Sequence, residues 1–242
     1  MNSSALLQPL PWDSNFLGFP VGRLVLTEQP EAAITAALAD ARQADYRLLY
    51  LVADPADTVA ARVAQAAGAW LADRKVTFVM PLLPSRAGQP VAAAIGTAVD
   101  FSPQLEGLAW QSGEYSRFKL DAHFSPDVFR GLYSQWLRNS LSGAIARRVL
   151  VWQAPDGQEL GLLTLGEKNG RADIGLLAVD AAARGQHVGR HLVAAAQAQA
   201  SDWGYSELQV VTQGDNGPAC RFYEKCGFEL THEEHIYHLW LV

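Results

Sequence analysis

From Asp173 to Val193 the chain reads DIGLLAVDAAARGQHVGRHLV, and this stretch restricts the fold more than any other. Ile174 to Val179 has the length and apolar character of a buried strand, Asp180 to Ala183 is a turn, Arg184 to Gly189 is a glycine-bearing loop, and an alanine-rich helix follows. A strand that passes through such a loop into a helix leaves the first N–H groups of the helix unpaired and pointing outward. Those groups, at the positive end of the helix dipole, form a seat for phosphate oxygens. The loop is therefore expected to hold a pyrophosphate.

The flanking sequence sets the context of that loop. Arg148 to Gln153, Leu160 to Leu165 and Ala172 to Val179 are expected strands, joined by Pro155-Asp156-Gly157 and by Asn169-Gly170, a strong hairpin signal. A three-strand meander thus leads into the loop. After it come a helix from His187 to Trp203 closed by Gly204, a strand from Glu207 to Thr212, a helix from Pro218 to Cys226 closed by Gly227, and a last strand from Glu234 to Val242. Before the meander lie a strand from Val91 to Val99, a helix capped by Ser102 with Pro103 at its first position, and the loop QSGEYSRF. A helix opened by Ser125-Pro126-Asp127 follows, with Phe129, Leu132, Tyr133, Trp136 and Leu141 on one face.

The N-terminal part opens with the turn-prone, aromatic PWDSNFLGF (Pro11 to Phe19), then alternates strand, helix, strand, helix, strand: Val21 to Leu26, Glu31 to Ala44, Tyr46 to Val52, Asp54 to Ala67 and Val76 to Met80. PLLPSRAGQP, from Pro81 to Pro90, has the composition of a linker and predicts two domains, 1–85 and 86–242. A fixed offset of 159 residues relates Tyr46 to Tyr205, Leu49 to Leu208, Val52 to Val211, Ala60 to Ala219, Arg62 to Arg221 and Gly68 to Gly227. The N-terminal part is accordingly read as a copy of the C-terminal half of the second domain. It has no counterpart of RGQHVG and is not expected to bind the same ligand.

Charge narrows the partners. A net charge of −6 provides no basic field for nucleic acid or an anionic membrane, so an anionic ligand must be gripped by local groups. No run approaches the ~18 apolar residues that span a bilayer, and the N-terminus lacks a charged and then apolar leader, so a cytoplasmic protein is expected. Cys220 and Cys226 are read as reduced thiols.

The meander, the loop Arg184-Gly185-Gln186-His187-Val188-Gly189 and the segment NGPACRFYEKCGF, with Asn216, Ala219, Phe222, Tyr223, Gly227 and Phe228 in place, resemble the GCN5-related N-acetyltransferase (GNAT) superfamily. The resemblance covers most of residues 91–242. It implies an α/β (α+β) GNAT fold, a mixed and mostly antiparallel sheet flanked by helices, preceded here by a truncated GNAT-like half-domain. It also implies acetyl-CoA as cosubstrate, bound by backbone amides of the loop from Arg184 through Gly185, Gln186, His187, Val188 and Gly189 to Arg190. Leu176, Leu177, Ala178 and Val179 would pair with the pantetheine, with Asn216, Ala219 and Phe222 completing the site. A backbone N–H, that of Leu177, would polarise the thioester carbonyl, and Tyr223 would protonate the departing thiolate. Ala64 stands where the repeat would place a second tyrosine. His187 departs from the family by replacing a glycine; at a helix N-terminus it is expected to take helical angles. No proton acceptor for the amine stands out among Asp13, Glu114, His123 and Asp173, and a water chain to solvent is equally open.

Within the superfamily the likeness is to enzymes that acetylate the amino group of dTDP-4-amino-4,6-dideoxyhexose sugars for cell-surface polysaccharides. It rests on Trp12-Asp13-Ser14-x-Phe16-Leu17-Gly18, Ser116-Arg117-Phe118 and Tyr133-x-x-Trp136 leading into Asn139-Ser140. A nucleotide sugar needs a cation for its diphosphate and aromatic faces for base and sugar, roles open to Arg117, Tyr115, Phe118, Trp12 and Phe16. Solvated-loop and packing roles stay open for these residues, and Trp136 is expected in the core. A peptide α-amine or small-molecule amine as acceptor, or a non-catalytic acetyl-CoA sensor, also remain open, as does a homodimer paired through a C-terminal edge strand. His232, His235 and His238 are spaced by three near a strand and cannot share a face, and His187 and His191 have no third partner, so no metal is expected.

Overall fold

A computed structural model describes residues 6–82 and 94–241. The elements of the first part are β1 (Leu7–Pro9), α1 (Pro11–Leu17), β2 (Val21–Val25), α2 (Glu31–Gln43), β3 (Leu48–Ala53), α3 (Thr58–Ala66) and β4 (Trp70–Pro81). There follow β5 (Ile95–Thr97), α4 (Pro103–Ser112), α5 (Arg117–Leu120), α6 (Pro126–Leu141), β6 (Arg148–Gln153), β7 (Glu159–Lys168), β8 (Arg171–Val179), α7 (Val188–Asp202), β9 (Glu207–Gln213), α8 (Gly217–Lys225) and β10 (Glu229–Trp240). Two compact units result. One comprises Met1–Val76 with Gln213–Asp215 and His232–Val242, the other Thr77–Thr212 with Asn216–Thr231. The expected division between residues 85 and 86 lies outside the described residues, as does most of the linker.

In the first unit, PWDSNFLGF is mostly the helix α1 rather than a turn. Pro11 sits at the start, where its fixed φ suits a helix and its missing N–H costs nothing, and Gly18 ends the helix in the left-handed region at φ 76°. The Ser14 hydroxyl donates to the Leu10 carbonyl at 2.8 Å. The helix α3 begins later than expected, because the Asp57 carboxylate accepts the Ala60 N–H and fixes the cap there. Helices α2 and α3 bury Ile34, Leu38 and Val63 against Leu24, Leu49, Leu51 and Leu239. Each such side chain contributes roughly 1.5–3 kcal/mol when fully buried.

The strand β10 pairs antiparallel with β3, from His235 opposite Ala53 to Trp240 opposite Leu48, and has β4 on its other side. It is therefore an interior strand. Its N–H and C=O groups are used within the chain, which corrects the expected C-terminal edge and removes that route to a dimer. The repeat seen in the sequence is carried into the elements: α3 and α8, and β4 and β10, have bounds related by 159 residues, and α2 and α7 end at equivalent positions. By sequence β10 belongs to the second copy, yet it completes the first unit beside β3.

In the second unit β6, β7 and β8 form the expected meander. Asn169 and Gly170 both have positive φ, 54° and 77°, which is the conformation a two-residue hairpin turn needs. Ser102 caps α4 by accepting the Leu105 N–H, and α6 buries Phe129, Leu132, Tyr133 and Leu137. Trp136 is half-buried, its ring 5.0 Å from that of Tyr133. The strand expected over residues 91–99 is the short β5; residues 91–93 lie outside the described set. QSGEYSRF runs from the end of α4 into the start of α5, which is capped by the buried Ser116.

Candidate active site

The site is built on a fork in the sheet of the second unit. The parallel ladder between β8 and β9 pairs Ala172 with Leu208, Asp173 with Gln209 and Ile174 with Val210, and stops there. On its other side β8 pairs with β7 from Lys168 opposite Arg171 to Gly161 opposite Val179, but the register shifts between Leu165–Ile174 and Leu163–Leu177. Two residues of β8, Gly175 and Leu176, therefore oppose the single residue Thr164. A bulge of this kind bends its strand and increases its twist. Past the bulge, Leu177, Ala178 and Val179 line a cavity of about 280 Å³ together with Gln111, Arg184, Gly189, Ala219, Phe222 and Tyr223. In the first unit the equivalent strands β2 and β3 stay paired over all five residues of β2, from Val21 opposite Leu48 to Val25 opposite Val52. No fork opens there.

The loop after β8 turns into α7 as expected. Asp180 caps a short 3-10 turn at Ala181–Ala183, and Gly185 takes a positive φ of 79°. No side chain caps α7, and the loop residue His187 accepts the His191 N–H at 3.1 Å. The amides of Val188, Gly189 and Arg190 thus precede the intrahelical ladder and face outward, as an anion seat requires. The helix lies close on β7 because residue 161 is glycine: a Cβ there would stand 2.8 Å from Val188 Cγ1 and 2.9 Å from Leu192 Cδ1. Arg184 is exposed but is tied along the cavity wall. Its Nε donates to the Val179 carbonyl at 3.2 Å and its guanidinium to Gln111 Oε1 at 3.3 Å.

His187 corrects the sequence reading. It has φ 63°, in the left-handed region, and serves as the N-cap residue of α7. The loop keeps the conformation a glycine would take, and the Cβ of histidine bears a strain of about 1–2 kcal/mol. We expect His187→Gly to be neutral or stabilising in urea unfolding, since relief of strain offsets about 0.5–1 kcal/mol of added chain entropy. His187→Val, whose branched Cβ tolerates this region least, should lose about 1–2 kcal/mol. Acetyl-CoA affinity should survive the glycine change; a tenfold loss would mean that the imidazole itself touches phosphate.

Tyr223 stands on α8, 6 % exposed, with ring centroids of Phe222, Phe228 and Phe78 at 5.4, 5.7 and 6.0 Å. Burial in this apolar setting pushes its phenol well above the ordinary range, with the adjacent Cys226 and Cys220 adding to the shift. It is a neutral donor at any working pH. Asn216 spends its side chain on the helix: its Oδ1 accepts the Ala219 N–H at 3.2 Å and caps α8. Gly189 lies beside Phe222, where an added Cβ would be 3.1 Å from Cζ.

The residues considered for the acceptor are dispersed. Arg117 opens α5 with its guanidinium 4.9 Å from the Phe118 ring, and Phe118 is buried against Phe124 at 5.4 Å, so that ring serves packing. Tyr115 is 36 % exposed. Trp12 and Phe16 stack at 5.3 Å on α1 of the first unit, and Trp12 is exposed. Among the candidate bases, Asp173 accepts from Gln209 at 2.8 Å at the closed end of the fork, where burial raises its carboxyl against the opposing pull of Gln209 and Lys168. Glu114 pairs with Lys119, and Asp13 accepts from Tyr50. The Nδ1 of His123 lies 2.8 Å from buried Asp121. The sequence does not point to Gln111, which lines the cavity and carries no local signal, or to Thr164, a buried polar residue within LGLLTLG that stands behind the cavity opposite the bulge. Among the described residues no group of histidine, cysteine, aspartate and glutamate is arranged to hold a metal, and no helix is long and apolar enough to cross a membrane. A larger groove of about 600 Å³ in the first unit is lined by residues such as Pro9, Pro11, Asn15, Phe19 and Tyr46, and brings no carboxylate, imidazole, thiol or cation together.

Comparison with known proteins places this geometry. The Acetyltransferase (GNAT) family model matches residues 106–228, a span that holds the meander, the loop, α7 and α8. The chain is 26% identical over 224 residues to the dTDP-fucosamine acetyltransferase of Escherichia coli O6:H1, covering 92% of this chain and 93% of that protein. It is 29% identical over 133 residues to the spore coat polysaccharide biosynthesis protein SpsD of Bacillus subtilis, covering 55% of this chain and only 45% of SpsD. Among solved structures, a GCN5-related N-acetyltransferase from Sphaerobacter thermophilus superposes with a TM-score of 0.54 at 16% identity, over 87% of this chain and 67% of the other.

Proposed function

The chain belongs to the acetyltransferase (GNAT) family, and from that premise we propose that it transfers the acetyl group of acetyl-CoA to the amino group of a nucleotide-linked amino sugar of the dTDP-4-amino-4,6-dideoxyhexose type. Acetyl-CoA, the cosubstrate of the family, supplies an activated acyl carbon. The observation that carries the site assignment is the convergence of the open edge of β8, the uncapped start of α7 and Tyr223 on one cavity. The amides of Val188, Gly189 and Arg190 hold the pyrophosphate, and Leu177 to Val179 pair with the pantetheine in the place a ninth-strand ladder would otherwise fill. The Leu177 N–H donates to the oxygen that gains charge, and the Tyr223 hydroxyl gives its proton to the departing thiolate. The amine attacks as the neutral nucleophile: its nitrogen bonds the acetyl carbon as the C–S bond breaks, and the proton the nitrogen sheds passes through water to solvent, from which Tyr223 is reprotonated.

The sugar acceptor is supported by a likeness that runs along almost the whole of both chains to a protein named as a dTDP-fucosamine acetyltransferase. SpsD, named for spore coat polysaccharide biosynthesis, supports a place in the building of a surface polysaccharide. Incubation with acetyl-CoA and a panel of amines, read by mass spectrometry, tests the assignment. A dTDP-linked 4-amino sugar should gain one acetyl group; acetylation confined to peptides would overturn the sugar, and tight acetyl-CoA binding with no acetylated product would favour a sensor. Arg117 is assigned to the acceptor diphosphate. Arg117→Ala should raise the KM of the nucleotide sugar about 10- to 100-fold, the worth of one or two charged hydrogen bonds, with the KM of acetyl-CoA within about twofold. An unchanged KM would return Arg117 to its contact over Phe118.

A further inference from the structure

Thr164 is the only residue of β7 that opposes two residues of β8, and the bulge it faces begins one residue after the ladder to β9 ends. Its side chain is 2 % exposed, and its Oγ1 accepts the Leu176 N–H at 2.8 Å. In an unbroken ladder that N–H would have gone to a backbone carbonyl. A buried N–H needs a partner, so the hydroxyl substitutes for the carbonyl that the bulge displaces and makes the bent form the satisfied one. Gly175 completes the device: a Cβ there would stand 2.9 Å from Thr164 Oγ1, in the space the hydroxyl needs.

We propose that Thr164 is the positioning residue of the acetyl-transfer site, holding the bulge at Gly175–Leu176 and through it both the opening of the fork and the aim of the Leu177 N–H. Thr164 lies behind the strand and touches neither reacting group; it acts through Leu176 on the next amide along. The inference rests on the acetyl-CoA reading of the fork, and not on the identity of the acceptor. It accounts for a hydroxyl in the middle of an apolar run, where valine would match its shape.

Thr164→Val and Thr164→Ser separate this role from plain packing. The valine protein should lose kcat about tenfold or more, part of the roughly 10²–10³ that a whole oxyanion donor is worth, while the serine protein stays within about threefold of the native rate. In the infrared, carbonyl-labelled acetyl-CoA should show its C=O stretch lowered on binding to the native and serine proteins and less lowered in the valine protein. That readout needs no acceptor amine, so a wrong acceptor and a wrong positioning residue are told apart. If valine does not fold, Gly175→Ala displaces the same hydroxyl and should give the same loss. Native kcat and native carbonyl frequency in Thr164→Val, or equal losses with serine and valine, would overturn the proposal; failure of the native protein to bind acetyl-CoA would overturn the reading on which it rests.

Discussion

Tyr223→Phe is expected to lower kcat about 10²- to 10³-fold and to leave acetyl-CoA affinity within about twofold, the range in which a positioned proton donor contributes. Phenylalanine keeps the contacts with Phe78, Phe222 and Phe228 and removes only the hydroxyl. The raised pKa of the buried phenol bears on how the proton moves. Against a thiol of ordinary pKa, about 8.5, a raised phenol gives up its proton uphill, and what limits that cost is that the thiolate charge develops in the same apolar setting that disfavours phenolate. Both anions are raised by the same desolvation, so their difference stays bounded. The sign gives a second result: kcat should rise with pH as the amine loses its proton and should show no alkaline fall up to about pH 10, since Tyr223 stays protonated there. A full rate in the phenylalanine protein would leave Tyr223 as packing, and an alkaline fall near pH 8 that vanishes in Tyr223→Phe would contradict the effect of burial.

Gly189→Leu is expected to weaken acetyl-CoA binding at least 100-fold, about 2.7 kcal/mol, at roughly 1.4 kcal/mol for each tenfold. Residue 189 has no need of a positive φ; the glycine is there for space. A single Cβ would meet Phe222 at 3.1 Å and 3.3 Å and Val179 Cγ2 at 3.5 Å, so alanine fits with a small adjustment and should cost only a few-fold. The branched side chain of leucine must enter the cavity between β8 and α8, on the wall that Val179 and Phe222 share. Calorimetric titration of the alanine and leucine proteins, with urea midpoints to show that both remain folded, should give this graded series. Equal affinity in all three proteins would place the ligand elsewhere.

Much of the second unit was legible in the sequence because its turns are chemically specific. Asn169-Gly170 admits positive φ at both positions, and Ser102 with Pro103 opens a helix in one way; both appear where they were expected. Tyr223 and the glycine loop stood out through the family likeness, and α3 and α8 have bounds 159 residues apart, the offset the sequence shows. Other features depend on partners distant in sequence. The strand β10 has the alternation of any half-buried strand, and nothing local says that it joins β3. The bulge at Gly175–Leu176 exists only opposite Thr164, and Gln111 reaches the cavity only because α4 ends there. His187 departs from the expectation because a helix N-terminus usually forgives a side chain, whereas here the residue stands at φ 63°.

The central claim is that the thioester lies along β8 beyond its parting from β9, and backbone amide NMR of the labelled protein tests it most directly. Titration with CoA should move the amides of Val188, Gly189 and Arg190, and exchange of CoA for acetyl-CoA should add a further downfield shift at Leu177, the amide we propose donates to the acetyl oxygen. A Leu177 resonance that does not distinguish the two ligands, with the difference between them appearing on other residues, would contradict the account.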